Sequence, residues 1–250
     1  MNMSKYYYVL LILFVTSFAI NHANGQLVFD HYRSYMDANR EFEMSYNVKA
    51  KRIFIDAYSR NTEAYPAGIT NSVKDLSEFY EGFKKAKEKY IQWKKIAEAQ
   101  NVEELEKDMP FSYKTDVYFT VNGEVVTFRV LCKYRFFVVT NNGVKNYMIL
   151  FNSGDISHYE FTDKNGKVSY AWIPSNPTGL AAVNAALLKA SNSSKIIEKF
   201  DGIAIAFNKE SEIDAFLEKI TPEKLKEVEK LKGKIDEENR VKKEKEKLFQ

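Results

Sequence analysis

One cysteine, Cys132, stands in a chain of 250 residues. No disulfide can form within the molecule, so the fold must rest on an apolar core, which a chain of this length can supply. Histidine is nearly as scarce. Outside the N-terminal leader described below there are two, His31 and His158, and with a single cysteine they give no zinc-ligand spacing. No metal and no cofactor is therefore expected. Five prolines and ten glycines exclude collagen-like and Pro-rich architectures. Charge of one sign is also lacking: the formal net charge is +3, which gives no strong whole-molecule steering toward nucleic acid. Phosphate-loop, dinucleotide-loop and nucleophile-elbow motifs are all absent.

Long hydrophobic runs are missing too. The longest, Tyr6 to Ile20, falls short of the roughly 20 residues a spanning helix needs. It follows Lys5 and precedes the polar Asn21–Asn24, with Ala23 and Gly25 as small residues at the third and first places before Gln26. This is the layout of a secretory signal peptide with cleavage after Gly25. An uncleaved anchor is the alternative. The expectation is export to a bacterial periplasm or exterior, with no transmembrane span in the mature chain.

Aromatic residues are plentiful: 18 Phe and 16 Tyr make up most of a 14% aromatic content, which suits a sheet-rich core. Residues 27–66 are ambiguous, with a possible strand in Val48–Tyr58. Ser72 opens a helix, with Asp75 three residues on. Val73, Leu76, Tyr80, Phe83, Tyr90, Trp93 and Ala97 fall on one face of it, with six lysines opposite. The helix is expected to end near Gln100–Asn101, and an acidic turn over Val102–Asp108 to lead to Pro110.

Three Asn-Gly pairs, at 122, 142 and 165, mark hairpin turns. Between the first two runs a long alternating segment. Its even positions from Val126 to Val138, including Cys132, are apolar and define a buried face. Its odd positions carry Arg129, Lys133 and Arg135 beside Leu131 and Phe137. The helix at 72–100 is expected to cover that odd face. Thr115–Val121 and Val144–Phe151 complete a meander. Ser157–Thr162 and Lys167–Ile173 add a hairpin. Beyond Pro177 come an Ala-rich helix over Leu180–Ala190, a short strand at Ile203–Phe207, a helix capped by Asn208 and a last helix opened by Pro222. The end beyond Gly233 is expected to be frayed or disordered.

The expected fold is thus α+β: an antiparallel meander of about five or six strands packed with a long amphipathic helix, then C-terminal helices. Residues 26–221 form the domain and 222–250 a charged helix and tail. Cys132, inward-facing among apolar neighbours, reads as an inert core thiol rather than a nucleophile. Asp201 with Glu210, and Glu103, Glu104 and Glu106, read as acidic helix starts rather than cation ligands. Two places are candidates for binding. One is the basic strand face of Arg129, Lys133 and Arg135. The other is the irregular stretch around 151–178, which holds His158, Tyr159 and Trp172. The function expected is non-catalytic binding of another protein or a cell-envelope component. The alternatives are a hydrolase using carboxylates on the 151–178 loops, and an immunity-type or inhibitor protein that blocks a partner. The oligomeric state is left open.

Overall fold

The computed structural model describes residues 26–36, 38–59, 67–121, 124–178, 180–231 and 240–241. The signal-like segment, the Asn122–Gly123 turn and the chain end at 242–250 lie outside them. The protein is mixed α+β, with a large antiparallel sheet and a second, small one. In chain order the elements are β1 (Gln26–Met36), β2 (Ala38–Asn47), β3 (Arg52–Asp56), β4 (Ala67–Asn71), α1 (Val73–Ala99), β5 (Leu105–Val121), β6 (Glu124–Asn141) and β7 (Val144–Asn152). They continue with β8 (Ile156–Thr162), β9 (Val168–Pro174), α2 (Leu180–Lys189), β10 (Ser193–Phe200), β11 (Ala204–Phe207) and α3 (Glu210–Lys219). A further helix, α4, spans 222–231.

The large sheet has eight strands, in the order β1-β2-β3-β4-β5-β6-β7-β11. This corrects the expected five or six. The added strands are β1, β2 and β4, while β3 falls within the possible strand Val48–Tyr58; the outward face here is itself partly covered, with Ser45 of β2 and Tyr118 of neighbouring β5 pointing outward and buried. The alternation that marks a half-wet strand is blurred there. The acidic stretch before Pro110 is also strand. β5 begins at Leu105 and carries a bulge between Asp108 and Ser112, which accommodates a proline that cannot donate to the ladder.

The sheet curls until its two ends meet. β11 pairs with β7 on one side. On the other, Tyr58 and Ala204 exchange backbone bonds of 3.1 and 2.7 Å. The Ser34 hydroxyl then stands in for a strand backbone, accepting the Ala206 N–H at 2.9 Å and donating to the Ala206 carbonyl at 3.2 Å. A seam of this kind hides the unpaired groups of both edges.

Helix α1 lies against the inward face. Ser72 caps it by accepting the Asp75 N–H, and Asn101, at φ 51°, ends it in the left-handed region with the Val102 N–H bonded back to Ala97. Its buried side chains are Leu76, Phe79, Phe83, Ala86, Tyr90 and Ala97. Phe83 sits at the centre, within about 6 Å of the rings of Phe79, Tyr134, Phe151, Phe207 and Phe216. Contacts to Tyr134 and Phe136 place α1 on the even side of β6. It does not cover the odd, basic side as expected, because the even side carries the rings that match its own stripe. Lysines of the opposite face tie α1 to α3 through Lys87–Asp214 and Lys94–Glu210. Lys209, not Asn208, holds the cap position of α3, and its side chain makes no capping bond. Leu225 and Val228 of α4 are buried in the same core.

Candidate binding site

The small sheet runs β10-β8-β9 and leaves the large sheet where β7 ends. Two strands of chain cross there. Ser153 N–H donates to Ile203 O at 3.2 Å, and Ile203 N–H to the Ser153 hydroxyl at 3.0 Å. The crossing is tight enough that a Cβ on Gly202 would lie 1.9 Å from the Gly154 carbonyl. The chain after β9 returns to the free flank of β6, where Leu131 N–H donates to Asn176 O at 3.3 Å.

Register decides which expected residues meet. His158 of β8 stands directly opposite Trp172 of β9, and the rings stack at 4.4 Å with 11° between planes. Trp172 also touches Phe128 at 6.0 Å, which anchors this face to the β5–β6 arm. Tyr159 points to the other face. There it packs with Phe161, Ala171 and Ile173 beneath Ala185 and Leu188 of α2. The His158 face carries an ion pair, Lys195–Glu160 at 2.9 Å, and Lys195 holds the Glu160 carboxyl below the usual range.

Helix α2 reads LAAVNAALLK, apolar almost all round. Such a helix belongs in a core. Here Ala185 and Leu188 face the sheet, while Val183 and Leu187, one turn apart, are 54% and 53% exposed. On β10, Ile196 and Ile197 are exposed to a similar degree. The sequence did not single out these four.

The basic strand face is a self-paired ladder. Arg129 bonds Asp116 at 3.1 Å, and Arg52 reaches the same carboxylate at 2.5 Å. Lys133 bonds Asp108 at 2.8 Å, and Arg135 bridges Glu106 and Asp108 at 2.8 Å each. All three carboxylates, Glu106, Asp108 and Asp116, come from neighbouring β5, and Arg52 of β3 shares Asp116. Lys133, with Arg135 beside it, lowers the Asp108 carboxyl. These cations are brought together, but with their charge already answered.

Titratable groups elsewhere are structural in geometry. Burial pushes the Cys132 thiol well up, which removes it as a nucleophile. Asp56 is the most perturbed carboxyl. Burial raises it to about 6, against the lowering effect of the Tyr118 hydroxyl that donates to it; Glu43 raises it further. Tyr118 reaches Asp56 across β4 because the residue between them is Gly68. On 151–178, Asp155 pairs with Lys199, Glu160 with Lys195, and Asp163 caps the turn at Asn165 and Lys167. Cavities among the described residues open on the main unit. One of about 260 Å³ lies between β1–β2 and α3, over Phe216, with His31, Arg33 and Glu41 at its wall. Another, a groove of about 460 Å³ beside Gly82, Phe111 and Tyr113, runs between α1 and the β5 bulge. Among the described residues no three His, Cys, Asp or Glu side chains gather as a metal site, and no helix is long and apolar enough to cross a membrane. Comparison with protein families, curated proteins and solved structures found no match to this chain.

Proposed function

We propose that this is an exported, non-catalytic binding protein that works through its small-sheet unit. The observation that carries the reading is the open apolar face of α2, Val183 and Leu187, on a helix whose composition suits burial. Export rests on the three-part layout of Met1–Gln26. The non-catalytic part is supported by the pairing of the carboxylates on 151–178 and of the basic ladder, which leaves each group holding structure. The partner is another protein or an envelope component that presents an apolar surface to α2.

A photo-crosslinking residue placed at Leu187 in cells tests this, with fractionation and mass spectrometry of the mature N-terminus alongside. A discrete envelope adduct at Leu187, removed by Val183→Asp, is the expected result. Adducts no stronger than those from a probe at exposed Val144, or a chain retained in the cytoplasm, would overturn it.

A further inference from the structure

β10 is an edge strand, pairing among the described residues only with β8, and every side chain from Ser193 to Lys199 is exposed. We infer that two copies of this chain pair through β10, antiparallel, across a two-fold axis between Ile196 and Ile197. This rests on the reading of the small-sheet unit as a contact surface and names one of its partners.

The argument is one of register. β10 carries the devices that blunt an edge against indiscriminate strand addition: two lysines and a bulge. In a regular strand, residues facing each other across a pair share a face, so a two-fold axis must pass through a residue. Centred on Ile197, that would set Lys195 against Lys199 of the second copy, a like-charge contact. An axis between two residues is closed to a regular strand, because the facing side chains would point to opposite sides.

The bulge changes the count. Lys195 stands opposite Glu160 and Glu198 opposite His158, with Ile197 the extra residue. Glu160 and His158 share a face of β8, so Lys195 and Glu198 share it too, although they are three apart. An axis between Ile196 and Ile197 then becomes legal. It sets Lys195, an exposed cation that also holds Glu160 of its own chain at 2.9 Å, against Glu198 of the second copy, twice by symmetry, and Ile196 against Ile197. Ser194 meets Lys199, and both lie on the α2 side. Moving the axis one place on, to between Ile197 and Glu198, sets Ile196 against Lys199 and loses the charge match. The bulge thus admits one well-matched register and rejects its neighbours, which is how a specific edge differs from a sticky one. The product is a continuous six-stranded sheet. Because the axis is normal to the sheet, both His158–Trp172 stacks lie on the same side of it.

Sedimentation of the purified full chain from about 1 to 100 µM tests the pairing, since self-association is read by mass action. The wild type should show a concentration-dependent dimer. Lys195→Glu and Glu198→Lys should each weaken it by roughly tenfold or more, and the double exchange should restore it. Circular dichroism keeps folding in view, and these side chains are exposed. Independently, chains with Lys195→Cys mixed with chains with Glu198→Cys should oxidise to a disulfide-linked dimer faster than either alone, as facing Cβ atoms of a strand pair are about 5 Å apart. A wild type that stays monomeric, a dimer indifferent to both single changes, or a double exchange no better than the singles would overturn the pairing. None of these outcomes bears on the adduct at Leu187, so failure here and failure of the binding reading are told apart.

Discussion

The two sheets solve the edge problem in opposite ways. The large sheet folds its ends together, with Ser34 and Tyr58 satisfying β11 where a further strand would otherwise be needed. Beneath it lie rings with no exposure at all, among them Phe79, Phe83, Tyr134 and Phe151. The small sheet leaves β10 open, and its own core is three residues, Phe161, Ala171 and Ile173, each still 7–9% exposed. Burying a large side chain contributes about 1.5–3 kcal/mol, while fixing each backbone residue costs about 1–2 kcal/mol. Three such residues do not order three strands and a helix unaided. The small unit therefore depends on its crossing with the large one at Ser153, Gly154, Gly202 and Ile203. It does not lack apolar side chains; it spends them on its surface. Stability resides in the closed sheet, and the proposed contact in the open one.

The sharpest way to break that contrast is to remove one ring from each core. Phe83→Ala should cost about 3–5 kcal/mol and lower the denaturant midpoint of the whole molecule. Phe161→Ala should cost about half as much, since its thin surroundings can collapse around the gap. Its effect should be local: faster amide exchange in β8, β9 and β10, with the large sheet still protected. Equal global destabilisation by the two changes would mean a single core rather than two unequal ones.

Acidity should act on Asp56 of the large sheet and Glu160 of the small one in opposite directions. Asp56 binds its proton more tightly when folded, at about 6 against 3.8 unfolded. Its contribution is therefore full below about pH 4 and is lost as pH rises through 6, a swing of about 3 kcal/mol. Glu160 is shifted the other way by Lys195, so its contribution is present above the usual carboxylate range and lost on acidification. Unfolding at a series of pH values should show stability falling between pH 4 and 6 in the wild type, and a flatter profile in Asp56→Asn. Tyr118→Phe should push the Asp56 transition higher, because the hydroxyl that favours the charged form is gone.

The seam should respond next. Ser34→Ala strips Ala206 of a donor and an acceptor partner at once, both in the interior. A cost of about 1–3 kcal/mol is expected, with accelerated exchange of the Ala206 amide. An unchanged amide would mean that β11 is held by β7 alone.

How far the sequence anticipated this depends on contrast between faces. β6 was plain, and its inward positions Val130, Cys132, Tyr134, Phe136 and Val138 are all fully buried. The Asn142–Gly143 turn adopts the two positive φ angles its residues favour. β3 was harder, because Phe54 on its outward face also packs, edge-on against Tyr118. β10 was invisible for the opposite reason, being wet on both sides. Within the site, the sequence marked His158 and Trp172 in one irregular stretch, and it is the β8–β9 register that sets them face to face. Nothing local told Val183 and Leu187 from core residues, because exposure is decided by how much sheet α2 finds beneath it. The charges of Arg129, Lys133 and Arg135 were legible, but the partners of Lys133 and Arg135 depend on the bulge that realigns β5.

That ladder gives the smallest effect and the finest test. Arg135 is about one third exposed and answers two carboxylates, Glu106 and Asp108. Exposed pairs of this kind contribute about 0.2–1 kcal/mol each and are screened by salt. Arg135→Met keeps the apolar stem and removes the charge, so the fold should lose at most about 1 kcal/mol at low salt. Most of that loss should vanish at high salt, where the wild-type pair is already screened. Self-association of the chain should not change. If Arg135→Met instead dissociated the dimer while Glu198→Lys did not, the contact would lie on the β6 face of the large sheet. The division between a closed, stabilising sheet and an open, contacting one would then have to be reversed.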